Sequence, residues 1–450
     1  MITVAPAAPR LLLLSSEFPP GPGGIGTHAY QLARHLTARG WAVTVVTAQE
    51  YAPAAARAAF NERQPFAVVP LPGREGGRAT TIAARLRTIG RAMRAARPDL
   101  LLATGRRALW LAAALGPLYR LPVVAVGHGS EFHSDSAVAR ALTGQAIIGA
   151  AAVVAVSDYT AGLVRAAGRP RRLLVIPNAA DGDRFGIAPS FSPASPLPCS
   201  PALQPVAGRK VLLTVGRVGD RKAQDVVIRA LPRVLAAHPD VVYVMAGLPE
   251  KQAEFTALAE QLGVGHALCF TGAVDDDALP ALYNRADLFV LVSRRTAGGD
   301  VEGYGIVVQE AALCGLPAVV SRDCGLTEAI REGETGVSVP PDDPAATGAA
   351  IIALLSDDAA RARMGRRAHE LAARVTWAER VGDYDRLLRE VLAATKERGS
   401  KAAGEQESLE DGKRHAPLAA PSPKPFPIGR GSVTRAASED ADSEFVTRHS

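Results

Sequence analysis

The first 180 residues contain no lysine, and the first 198 contain no cysteine. The four cysteines of the chain, Cys199, Cys269, Cys314 and Cys324, include no C-x-x-C pair. That excludes a disulfide scaffold and a zinc ribbon, and fits a reducing cytosol. Apolar runs are short. None approaches the ~18 to 20 residues that a membrane span needs. Residues 11–14 are too few for a signal-peptide core, and Glu17, Pro19 and Pro20 break the run at once. No motif recurs at a period of 20 to 50 residues, which excludes a solenoid or propeller.

What is present is a large apolar fraction on a long chain. Hydrophobic residues make up 48% of 450 and charged residues 21%, so two soluble domains are expected. The net charge of +6 is unevenly spread. Residues 1–180 carry 20 arginines against 8 acidic residues, a net of +12, and residues 181–450 carry 31 basic and 37 acidic residues, a net of −6. A cationic first half suits an anionic partner, whether phosphorylated acceptor, lipid surface or nucleic acid. An Arg-rich codon bias is the plainer explanation.

Short β-branched or Leu-rich runs alternate with helical patterns, which predicts parallel βαβ units. In the first half the expected strands are 11–15, 43–47, 100–103, 123–126, 153–156 and 173–176, with helices such as 28–38 and 80–96. Residues 188–205 hold six prolines, four serines and no charge, as a linker or long loop would. A second set of strands is expected at 211–215, 241–246, 268–271, 288–291, 318–321 and 337–339. Helices come after them at 344–355 and 359–372. A last amphipathic helix, 377–392, places Val381, Tyr384, Leu387, Leu388 and Val391 on one stripe. Beyond about Lys396 the composition turns polar and rich in Pro, Ser and Gly, so 397–450 is expected to be a disordered tail.

Four motifs carry chemistry. Gly21-Pro22-Gly23-Gly24-Ile25-Gly26 matches the dinucleotide fingerprint G-x-G-x-x-G, with Glu50 at the distance of a ribose-binding acid. However, Glu17-Phe18-Pro19-Pro20 separates it from the strand, and Pro22 removes an amide donor. A wider glycine loop opening a helix can still hold a phosphate. Gly216-Arg217-Val218-Gly219-Asp220-Arg221-Lys222 comes directly after a strand, where cations can clamp a diphosphate. Glu302-Gly303-Tyr304-Gly305-Ile306-Val307-Val308-Gln309-Glu310 sets two glutamates eight positions apart around a Gly-x-Gly. The amides from Gly303 to Val307 then open a helix, and Glu310 can accept ribose hydroxyls while Glu302 accepts one from a sugar. Gly127-His128-Gly129-Ser130-Glu131 puts a histidine at a strand's carboxyl end, able to donate to a substrate hydroxyl, with His133 as a competitor.

Together these motifs resemble the family 4 glycosyltransferases, which have the GT-B fold. Gly216-Arg217…Arg221-Lys222-Ala223-Gln224-Asp225 is similar to that family's G-R…K-G-x-D, and Glu302 with Glu310 forms its E-x7-E. Ser157-Asp158-Tyr159-Thr160, Ile176-Pro177-Asn178…Asp181 and Gly272…Val274…Leu282-Tyr283 also align, so the resemblance spans about residues 10 to 393. Gly-His-Gly-Ser-Glu and Arg-Lys-Ala-Gln-Asp bring it nearest to bacterial mannosyltransferases acting on phosphatidylinositol.

The resemblance implies an α/β protein with two Rossmann-like doubly wound domains and a cleft between them. It assigns 1–187 to the acceptor side, 188–208 to a linker, 209–375 to nucleotide-sugar binding, and 376–396 to a helix crossing back. Arg217 and Lys222 would hold the donor diphosphate, and Gly24 would approach donor phosphate or acceptor. Val274 would meet the base. Glu302 with Gly305, Ile306 and Val307 would hold the sugar, Glu310 the ribose, and His128 would sit by the reacting carbon. The implied reaction retains anomeric configuration, uses no metal and needs no cofactor beyond a GDP- or UDP-hexose co-substrate. The implied partner is a sugar or lipid-linked acceptor rather than nucleic acid. The implied place is the cytoplasm, at the inner face of an anionic membrane. Ala223 stands where the family has glycine, and Asn178-Ala179-Ala180-Asp181, Gly247-Leu248-Pro249 and Asp323-Cys324-Gly325 also depart from the pattern. A non-catalytic glycan- or nucleotide-binding member and an NAD(P)-dependent oxidoreductase are the rival readings.

Overall fold

Leu11, Leu12, Leu13 and Leu14 are each no more than 1% exposed. A strand with no solvent face belongs in the middle of a sheet covered on both sides. In the computed structural model, which describes residues 7–21, 23–73, 77–134, 136–188, 208–275 and 277–414, that strand is β1 (Arg10–Ser15). Its alternating side chains feed two separate cores, Leu11 and Leu13 one and Leu12 and Leu14 the other.

The first sheet continues with β2 (Ala42–Thr47), β3 (Ala67–Pro70), β4 (Leu100–Thr104), β5 (Val123–Gly127), β6 (Ala152–Ala155) and β7 (Leu173–Val175). Its order is β3-β2-β1-β4-β5-β6-β7, all pairings are parallel, and Leu11 aligns with both Val43 and Leu100. The second sheet comprises β8 (Lys210–Val215), β9 (Val241–Ala246), β10 (Leu268–Gly272), β11 (Leu288–Leu291), β12 (Ala318–Ser321) and β13 (Gly336–Val339). It runs β10-β9-β8-β11-β12-β13, again parallel throughout. Both sheets are doubly wound, with the strand order reversing beside β1 and beside β8. Ligands of such sheets bind beyond the strands' carboxyl ends at that reversal. The fold therefore nominates the loops after β1, β4, β8 and β11 before any chemistry is considered.

Of the thirteen strands among the described residues, twelve were expected from the sequence, to within a residue or two. The missing one, β3, is a four-residue edge strand, half-buried at best and ending in Pro70, so it lacks the apolar run that marks the others.

The helix Trp377–Arg414 buries Trp377, Val381, Tyr384, Leu387, Leu388 and Val391 to 6% exposure or less. Its contacts lie on the first sheet's side. The Trp377 amide donates to the Ala180 carbonyl at 3.1 Å, Trp41 Nε1 donates to Asp385 at 2.7 Å, and Arg172 pairs with Glu390 at 2.7 Å.

Residues up to Glu397 make one compact unit, and a second begins at Arg398. The helix runs on to Arg414, past residue 397, where the polar tail was expected to begin. The apolar stripe ends at Val391, but 393–414 holds four Ala, four Glu and three Lys, residues of high intrinsic helix propensity. Residues 415–450 lie outside the described residues, as does 189–207, most of the expected linker.

Candidate active site

The loop after β8 is built around a tight approach. A Cβ on Gly247 would lie 2.1 Å from the Gly216 carbonyl oxygen, and one on Gly216 would lie 2.9 Å from Lys222 Cε. A short 3-10 turn, Asp220–Lys222, then leads into the helix Gln224–Ala237. The joint between them is Ala223, fully buried with φ of 52°. Left-handed backbone costs a residue with a Cβ about 1 to 2 kcal/mol. The conformation that glycine gives easily is thus kept here by alanine.

That turn aims Lys222 at Glu302, Nζ to Oε2 at 2.6 Å. Arg221 reaches the same carboxylate oxygen and also Asp300, at 3.2 Å. Lys222 and Glu302 have side chains only 10% and 13% exposed. Burial alone would raise the Glu302 carboxyl, but Arg221 and Lys222 outweigh it and hold it down to about 2. Lys222 moves the other way. Its burial lowers it further than Glu302 raises it, and Arg221 adds to the lowering. Arg221 is raised, chiefly by Glu302. Sequence reasoning singled out Lys222 and Glu302 and passed over Arg221, although it stands in the same motif. Nothing in the spacing says which of two adjacent cations turns inward.

Arg217 is placed differently, with its side chain 35% exposed. It lies over the Tyr51 ring at 5.3 Å, 3.6 Å from Glu17 and 3.8 Å from Glu250. Glu17 and Tyr51 belong to the first sheet's loops, so Arg217 spans the cleft.

Gly303 explains why a glycine must come after Glu302. A Cβ there would fall 1.8 Å from the His128 carbonyl oxygen. The Gly303 carbonyl accepts from Ser157 Oγ at 2.7 Å, and Glu328 accepts from the amides of Asp158 and Tyr159 at 2.7 and 2.8 Å. The Glu302 loop thus sits against the His128 loop at Gly303 and is held to Ser157, at the start of the helix Asp158–Ala167. Gly305, at φ of 81°, precedes the helix Ile306–Leu313, which has no side-chain cap. Ile306 is buried and Val307 half-buried. Glu310 is 7% exposed and accepts from the Tyr283 hydroxyl at 2.7 Å. Val274, after β10, is half-buried against the core.

On the opposite wall, Gly24 opens the helix Gly24–Ala38, which also has no side-chain cap, and a Cβ on Gly24 would meet nothing within 4 Å. His128 Nε2 lies 2.7 Å from Thr104 Oγ1, and its amide donates to Glu131 at 2.9 Å. Burial holds the His128 imidazolium down to about 4, so the ring is neutral near pH 7. Burial also pushes the Glu131 carboxyl up to about 7. His133, the expected competitor, bonds Arg295 at 3.0 Å. Glu50, the residue a dinucleotide site would need, is held by Arg85 at 2.6 Å. A cavity of about 650 Å³ between the walls is lined by Ser16, Glu17, Tyr51, Arg106, Arg107, Ser130 and Asp300 among others. Among the described residues no three His, Cys, Asp or Glu side chains gather as a metal site would require, and no helix is long and apolar enough to cross a membrane.

Two sequence families match this chain: "Glycosyltransferase Family 4" over residues 22–184 and "Glycosyl transferases group 1" over 200–371. A GDP-mannose-dependent alpha-(1-6)-phosphatidylinositol monomannoside mannosyltransferase of Mycolicibacterium smegmatis is 32% identical over 373 residues, 79% of this chain and 91% of that protein. The chain belongs to the family 4 glycosyltransferases. A glycogen synthase of Mycobacterium tuberculosis is 30% identical over 397 residues, covering 80% of this chain and 89% of its own. Among solved structures, Anabaena HepE in complex with UDP and glucose superposes with a TM-score of 0.69 at 21% identity, over 84% of this chain and 99% of that one. Sucrose-phosphate synthase from Thermosynechococcus elongatus gives 0.70 at 21%, over 86% and 100%. The architecture is thus GT-B, and the chain is a glycosyltransferase. Membership of that family leaves no ground for the oxidoreductase reading.

Proposed function

We propose that this glycosyltransferase moves mannose from GDP-mannose to an inositol-bearing lipid acceptor, with retention of configuration and without a metal. The observation that carries the reading is the buried Glu302 carboxylate held by Lys222 and Arg221 at the strand reversal of the second sheet. The relatives named for GDP-mannose and phosphatidylinositol monomannoside favour that donor and acceptor.

In this reading the second half, 209–375, binds the nucleotide-sugar and the first half, 1–187, takes the acceptor. Arg217 and Lys222 hold the diphosphate and stabilise the charge that develops as it leaves. Glu302, with the amides of Gly305, Ile306 and Val307, orients the transferred sugar. Glu310 holds the ribose, Val274 lies against the base, Gly24 approaches phosphate or acceptor, and neutral His128 sits beside the reacting carbon. A carboxylate held down to about 2 is a weak base, far from the near-neutral range a general base needs. Glu302 therefore suits hydroxyl binding, and the departing phosphate takes the acceptor's proton on the same face. GDP-mannose should raise Tm, with about 2.7 kcal/mol of stabilisation at 100 times Kd. Stabilisation by UDP-glucose and none by GDP-mannose would remove the mannose donor.

A lipid acceptor asks for a surface. The helix Arg78–Ala96 buries Ile89, Ala92 and Met93, yet Ile82 and Leu86 of the same stripe are 50% and 55% exposed. Arg87, Arg91 and Arg94 are exposed beside them. Such a helix can keep its core contacts and still rest on an anionic leaflet, each cation adding ~1 kcal/mol. The protein should bind anionic but not zwitterionic vesicles, less so in high salt. Converting Arg87, Arg91 and Arg94 to Gln should weaken that binding and leave donor affinity unchanged. Equal binding to both vesicle types, or to neither, would leave an enzyme acting on a soluble acceptor.

A further inference from the structure

His28 lies one turn past the glycine loop, in the helix Gly24–Ala38, and is 0% exposed. Side chains from two distant parts of the chain close around it. Its Nε2 is 3.0 Å from the Tyr384 hydroxyl, and the rings of Trp377 and Tyr384 stand edge to face with it at 5.3 and 5.7 Å. On its other side it meets the His128 ring, again edge to face, at 4.7 Å. Its Nδ1 is buried with no hydrogen-bond partner. Leaving a buried ring nitrogen unpaired is unfavourable, and a phenylalanine would fill the same space without that cost. Packing alone therefore does not account for a histidine here.

What the imidazole adds is a polar link to the last helix. Tyr384 is fully buried, and its helix is fixed by the Trp377 amide on Ala180 and by Trp41 on Asp385. The hydrogen bond from Tyr384 restricts the His28 ring, and that ring forms one wall for His128. The other restraints on His128 are Thr104 at its Nε2 and Glu131 at its amide. Burial foremost, and then His128 beside it, keeps His28 well below the ordinary imidazole range. Both rings are neutral near pH 7, and no charge repulsion opens the contact.

We propose that His28 is a positioning residue for sugar transfer, anchored by Tyr384 and setting the orientation of the His128 ring in the cleft. This rests on the reading that His128 lies at the reacting centre. A misplaced group there costs rate rather than donor affinity.

The test uses the full-length protein, with GDP-mannose and UDP-glucose in parallel as donors, water as acceptor, and nucleoside diphosphate release as the readout. His28→Phe should lower kcat by about 10- to 10²-fold and leave donor KM within about twofold. Tyr384→Phe removes one hydroxyl and should lower kcat by about 3- to 10-fold, which keeps the proposal testable if His28→Phe folds poorly. In a His128→Ala background, His28→Phe should change kcat by less than about twofold, because its effect runs through the missing ring. In spectra of protein labelled at histidine side chains, the His128 ring signal, assigned by its loss in His128→Ala, should shift in His28→Phe. Wild-type kcat in both His28→Phe and Tyr384→Phe, an equal loss in the His128→Ala background, or an unmoved His128 signal would each overturn the proposal. His128→Ala turning over at the wild-type rate would instead remove the reading of His128 itself.

Discussion

Lys222→Ala is expected to lower kcat by on the order of 10²-fold or more, the scale of losing one oriented charge stabiliser. Arg217→Ala should do the same at saturating donor. The two variants should differ in stability. Arg217 is partly exposed beside Tyr51 and Glu17, so its removal should leave Tm nearly unchanged. Lys222 is buried against Glu302. A loop position suggests a solvated side chain for both, and the structure corrects that for Lys222. Deleting it leaves Glu302 with Arg221 alone, and breaking a buried pair costs about 3 to 5 kcal/mol when no second cation remains. The presence of Arg221 should keep the loss below that range. Steady-state kinetics with thermal melts separates the two effects. Near-wild-type turnover in either variant would remove that residue from the donor clamp.

Glu302→Gln carries the second large effect. The amide keeps the shape and one acceptor but removes the charge facing Arg221 and Lys222, so buried Lys222 loses its carboxylate and half-buried Arg221 is left with Asp300. We expect kcat to fall by about 10²- to 10³-fold and stability to fall by about 3 kcal/mol or more. The pH dependence has a definite sign. The folded carboxyl is held down to about 2 from 4.5, so its contribution is present above its unfolded value and is lost as pH falls toward 2. The gap in Tm between wild type and Glu302→Gln should therefore be full at pH 6 and shrink below about pH 4.5. A gap that is constant across that window would mean the ion pairs are not what Glu302 contributes.

Much of this site is legible in the sequence because its parts are local. Gly216-Arg217…Lys222 and Glu302…Glu310 each come soon after a strand, and a strand's apolar run with its loop is a local pattern. The partners that work on those residues are not local. Arg221 and Lys222 meet Glu302 about 80 positions away, and Tyr283 reaches Glu310 across 27. Tyr384 reaches His28 across 356. No periodicity carries such a pairing, so Arg221, Tyr283 and His28 were not found as site residues. Arg217 illustrates the same limit. Its sequence context places it beyond a strand, but only the assembled cleft gives it Tyr51 and Glu17 as neighbours from the other wall. The helix end is hard to read for a different reason. The stripe that marks Trp377 to Val391 stops when burial stops, while propensity continues the helix to Arg414.

The anomeric configuration of the product tests the central claim most directly, because a reaction in which the departing phosphate takes the acceptor's proton on the same face gives one outcome. With GDP-mannose as donor and EDTA present throughout, proton NMR of the initial product should show the mannosyl linkage in the donor's own α configuration, at a rate unchanged by the chelator. A β-linked initial product would contradict the account.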